Sequence, residues 1–173
     1  MSSLVQQLLA ALSQLDTKTA QQEAARLSVA IERATDAIDA IRLRELVPTL
    51  LELKWTTYTA YNDSGTSWNA LSGDRVTLIM DDGRRIAVYD PDAFYRDSDE
   101  DFCDWCSANG LEPSMDTYLT SYLAGRIPVR TELAGELLTL VFGIVRTSIT
   151  AQAFAVKSRG TLEEIASECV REG

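Results

Sequence analysis

Histidine is absent from the 173 residues. The commonest general base, the usual activator of a serine or cysteine nucleophile and the commonest metal ligand are therefore missing. Lysine is scarce as well, with Lys18, Lys54 and Lys157 against thirteen arginines, and the chain contains no GxxxxGK[ST], GxGxxG or GxSxG. The common phosphate cradles and the nucleophile elbow lack their parts. Three cysteines are too few for a stapled secreted fold and fit a reducing compartment. Four prolines and nine glycines exclude a collagen-like or low-complexity chain. Residues 1–15 lack a positively charged leader region, so a cytoplasmic location is expected. Residues 137–156 approach the length of a bilayer span, but Arg146 stands at their centre with Thr147, Ser148, Thr150 and Gln152 behind it. An arginine there costs about 2.5–3.5 kcal/mol on insertion, so a buried helix and no membrane contact are expected.

What is present suits a globular core: 46% of residues are apolar and the length matches one domain of roughly 150 residues. Net charge is −10 and unevenly spread. Residues 1–80 hold nine acidic and seven basic side chains, residues 81–116 eleven and three, and residues 117–173 six of each. The 81–116 face is therefore expected to repel DNA and RNA, because phosphate neutralisation needs the opposite sign.

The pattern predicts a single α+β domain: an N-terminal helical hairpin (1–52), a small central antiparallel β-sheet (53–90), an acidic segment (91–116) and C-terminal helices (117–173) including one fully buried apolar helix. Leu4, Val5, Leu8, Leu9 and Leu12 repeat at helical spacing after Ser2 and Ser3, with a turn at 16–19. A helix over 20–46 is expected to seal along Ala24, Leu27, Ile31, Ala34, Ile38 and Ile41, and to stop near Pro48. Residues 55–61 (WTTYTAY) read as a strand, and 75–80 and 84–89 as a hairpin about Asp81-Asp82-Gly83. Ser114 is expected to cap a segment closed by Gly125, and Thr161 with Glu164 to box a last helix. Residues 131–156 read as the apolar helix, buried all round, with Gly135 and Gly143 admitting a close neighbour.

Cys103 and Cys106 form a CxxC, half of a zinc site or a redox dithiol. A zinc site needs four ligands, and only Cys169 remains as a further thiol, so both cysteines read foremost as half-buried structural residues. Calcium at Asp97–Asp101 fails the EF-hand template, since Phe102 and Ala108 stand where glycine and glutamate are required. Nothing in the spacing selects a carboxylate pair for glycoside hydrolysis. No cofactor is expected.

The expected function is non-enzymatic. Asp90, Asp92, Asp97, Asp99, Glu100, Asp101 and Asp104, interleaved with Phe94, Tyr95 and Trp105, form the candidate partner-binding set. Carboxylates at this density act as a phosphate substitute, and rings among them suit arginine-rich surfaces. The expected partner is a protein with a basic, nucleic-acid-binding site that this face occludes. A structural or adaptor subunit of a homo-oligomeric or larger assembly, and a thiol-dependent enzyme using Cys103 and Cys106, are the competing expectations.

Overall fold

The computed structural model describes residues 3–90, 100–156, 163, 164 and 167. The chain divides into two compact units, one containing Met1–Ile38 and the other Asp39–Arg159. The architecture is α+β, with N-terminal helices, antiparallel sheets and C-terminal helices.

The first unit holds α1 (Ser3–Ser13) and the start of the long α2 (Thr17–Leu46), whose residues from Asp39 onward belong to the second. Asp16 opens α2: its carboxylate accepts from the backbone N–H groups of Lys18 and Thr19, each at 3.1 Å, and from the Thr19 hydroxyl at 2.5 Å. The expected turn at 16–19 is thus the cap and first turn of the helix, because a side-chain acceptor satisfies donors that a helix start leaves open. The expected seam of α2 is corrected too. Ile31 and Ile38 are 66% and 45% exposed, whereas Ala37, Ala40, Leu43 and Val47 are buried. Period alone did not separate the two stripes, and the small side chains at 37 and 40 mark the face that packs.

In the second unit, β1 (Leu50–Lys54), β4 (Arg75–Met80), β5 (Arg85–Tyr89) and β6 (Ala153–Ala155) form an antiparallel sheet of order β5-β4-β1-β6. A separate ribbon pairs β2 (Thr57–Tyr61) with β3 (Ser67–Leu71). The β4–β5 hairpin matches its sequence signal: Gly83 takes φ +86° and Asp82 accepts from the Arg84 N–H at 3.0 Å. Leu50–Lys54 is a central strand, contrary to the helical assignment of residues up to 52. A bulge at Leu51 lets Leu50 and Leu53, three apart, both face the core.

Alternation gives the sheet one apolar face, with Leu53, Val76, Leu78, Met80, Ile86, Val88 and Phe154 buried in one cluster with α5 (Ala134–Thr147). That helix ends at Thr147 rather than 156. The Ser148 N–H closes back on the carbonyls of Ile144 and Val145, Gln152 turns left-handed at φ +59°, and β6 then pairs with β1. Eight residues of α5 are buried, yet Glu136, Thr139, Arg146 and Thr147 are exposed, so one narrow strip is wet. A Cβ at Gly143 would meet nothing within 4 Å, so no close neighbour packs there among the described residues.

Between β5 and α5 in the sequence, helix α3 (Glu100–Asn109) ends in a Schellman turn, Leu111 N–H to Cys106 carbonyl at 2.9 Å, with Gly110 at φ +65°. Ser114 caps α4 (Met115–Thr117) as expected, accepting from the Thr117 N–H, and a wider π-helical turn continues through Tyr118–Leu123. The boxed last helix and Cys169 fall largely outside the described residues, although Glu163, Glu164 and Ser167 are helical.

Candidate functional site

Helix α3 turns its rings inward and its carboxylates outward. Phe102 is fully buried and meets Tyr118 and Tyr122 edge-on at 5.1 Å each, while Trp105 packs edge-on against Tyr122 at 5.3 Å. Such edge-to-face clusters lock orientation as well as burying area. Asp101 and Asp104 on α3, with Glu112 and Asp116 just beyond it, are exposed. Asp104, Glu112 and Asp116 take part in no ion pair among the described residues. These exposed carboxylates form an acidic shoulder beside a packed aromatic cluster.

The other candidate residues are placed differently. Asp90 pairs with Arg146 at 3.1 Å, and its N–H donates to the Asp74 carbonyl at 2.7 Å, so it ties the end of β5 to α5. Trp105 belongs to the aromatic cluster, under the Arg126 guanidinium at 5.8 Å. Asp92, Phe94, Tyr95, Asp97 and Asp99 lie outside the described residues, as does the Glu100 side chain. Cys103 is half-buried and Cys106 fully buried; both are free thiols. Burial pushes the Cys106 thiol above its ordinary value and Cys103 beside it adds to the shift, the opposite of what a thiolate nucleophile requires. Among the described residues no three or more cysteines or carboxylates gather as a metal cluster, and no helix is long and apolar enough to cross a membrane.

A second, basic region borders the first. A cleft of about 490 Å³ runs beside β5, and its lining includes Arg84, Arg85, Ala87, Tyr89, Tyr122 and Arg126 together with one carboxylate, Asp101. Arg126 stacks on the Tyr122 ring at 3.6 Å and donates to the Tyr122 carbonyl at 3.1 Å. A smaller hollow of about 330 Å³ shares Arg85 and adds Lys54, Arg75 and Thr77. The charge count over 81–116 concealed this, because it averaged the cations of β5 with the anions that follow. The signal was legible in the alternation: Arg75, Thr77, Ile79 and Arg85, Ala87, Tyr89 fall on the strand face opposite the core residues.

No protein-family model, no curated protein and no solved structure matches this chain.

Proposed function

We propose that the chain is a non-enzymatic interaction protein that docks its acidic shoulder on the basic, nucleic-acid-binding site of a partner protein and occludes it. The observation that carries this reading is the exposure of Asp104, Glu112 and Asp116, free of ion pairs among the described residues, on elements anchored by Phe102 and Tyr118. Charges held on a rigid base steer association and fix register at small ordering cost. The reading sets the protein in a reducing, cytoplasmic compartment, where Cys103 and Cys106 stay as thiols.

The test uses a fluorescent arginine-rich peptide and a DNA duplex that competes for it. The protein is expected to bind the peptide, to displace it from DNA, and to weaken steadily with salt. Together Asp104→Asn, Glu112→Gln and Asp116→Asn are expected to cost about tenfold or more in affinity at low salt. Unchanged affinity and salt dependence in that variant contradict the reading.

A second reading, a self-associating subunit, is favoured by a different observation. Leu4, Val5, Leu8 and Leu9 of α1, and Val29 and Ile31 of α2, are exposed, Leu4 by 69% and Leu9 by 61%. A stripe of large apolar side chains on helices is the usual mark of an association surface.

A further inference from the structure

We infer that the cleft beside β5 binds an extended acidic peptide by strand addition, the guanidinium groups of Arg84, Arg85 and Arg126 receiving its carboxylates. Among the described residues β5 is an edge strand, so half of its backbone groups face away from the sheet. Parity identifies which. The Met80 N–H donates to the Arg84 carbonyl and the Asp90 N–H to the Asp74 carbonyl, so the even-numbered residues face β4. Arg85, Ala87 and Tyr89 therefore turn their N–H and C=O groups outward. The Tyr89 N–H is satisfied by the Tyr118 hydroxyl oxygen at 3.0 Å. The outward groups of Arg85 and Ala87 have no partner among the described residues.

The open groups of Arg85 and Ala87 belong to residues that line the cleft, and at about 3.3 Å per residue they offer roughly 7 Å of edge before Tyr118 closes it at Tyr89. Its opposite wall supplies Arg126, oriented by Tyr122. Arg84 is held by Asp82 at 2.6 Å, and Arg85 has no ion pair among the described residues. Cations on an edge strand also serve as guards against strand pairing. A guard needs neither a cleft beside the edge nor a third arginine brought in from the turn after Leu123 and stacked on Tyr122. A small anion accounts for the guanidinium groups and leaves the open amides unexplained, whereas an extended peptide uses both. The inference is independent of the acidic-shoulder reading, and its probe carries the opposite charge.

The probe is an acetylated, amidated octapeptide alternating threonine with glutamate, titrated calorimetrically into the full chain with amide hydrogen exchange recorded in parallel. Saturable binding is expected, with exchange of the Ala87 amide slowed on saturation. Arg85→Gln and Arg126→Gln, each first checked for native circular dichroism, are expected to weaken binding about tenfold apiece, the size of one charge-assisted hydrogen bond. The peptide N-methylated at the alternate amides that face β5 and the lysine-for-glutamate peptide are expected to bind at least that much more weakly, whereas N-methylation at the other parity is tolerated. Absence of binding overturns the inference. So does binding that leaves Ala87 exchange unchanged, survives N-methylation at both parities, or is displaced by equimolar inorganic phosphate, since each marks a simple anion site.

Discussion

Tyr118 shows how one side chain joins two elements. Its ring is fully buried among Phe102 and Tyr122, and its hydroxyl oxygen accepts from the Tyr89 N–H at the edge of the sheet. Tyr118→Phe keeps the ring and leaves that N–H without its acceptor. It is expected to cost about 1–3 kcal/mol in chemical denaturation, and an unchanged midpoint contradicts the assignment. Asp16 makes a prediction in pH. Hydrogen bonds from the Thr19 hydroxyl and from the backbone of Thr19 and Lys18 hold its carboxyl below the ordinary aspartate range. Its cap is therefore complete above the unfolded-state value near 3.8 and is lost as pH falls through the lowered folded value. Asp16→Asn keeps a capping acceptor and removes the titration, so the loss of helicity on acidification is expected to be smaller in that variant. At Cys106, burial and a raised thiol predict slow alkylation in the folded protein, with Cys103 modified first.

At the scale of elements, α5 separates what local pattern determines from what pairing determines. Its apolar run announced a central helix, but the run continued past Thr147 because β6 is apolar too. Only pairing of Phe154 with Leu53 identifies residues 153–155 as a strand, and that pairing spans about a hundred residues of sequence. The β4–β5 hairpin was legible because its turn chemistry and alternation are local. β1 was not, since a bulge breaks its period of two, and β3 was not, since residues 67–71 (SWNAL) sit in a largely exposed ribbon with little apolar alternation. The candidate site divides the same way. Composition showed the excess of acid over 81–116 without singling out Glu112 or Asp116, whereas the inward turn of Trp105, the Asp90–Arg146 pair and the approach of Arg126 to the β5 arginines depend on which residues folding brings together. Gly143 gives a test within α5: a Cβ there meets open space in a helical stretch. Gly143→Ala is expected to stabilise the protein by about 0.5–1 kcal/mol, and a lowered melting temperature contradicts the described packing.

For the whole molecule, a net charge of −10 conceals two regions of opposite sign, the acidic shoulder of α3 and the arginines beside β5. The exposed apolar residues of α1 and α2 add a third kind of surface within the first unit. If that surface joins copies, light scattering is expected to show an oligomer that Leu9→Glu with Ile31→Glu reduces to a monomer. A monomeric wild-type protein at micromolar concentration contradicts self-association. The central claim is that carboxylates of the shoulder select a basic partner. The most direct measurement is affinity capture from a lysate of the source cells, run in parallel with the wild-type chain and with the Asp104→Asn, Glu112→Gln, Asp116→Asn variant, at low and high salt, with bound proteins identified by mass spectrometry. The account predicts a basic, nucleic-acid-handling protein recovered by the wild type at low salt and lost both at high salt and with the variant. Recovery of the same proteins by both chains, indifferent to salt, contradicts it.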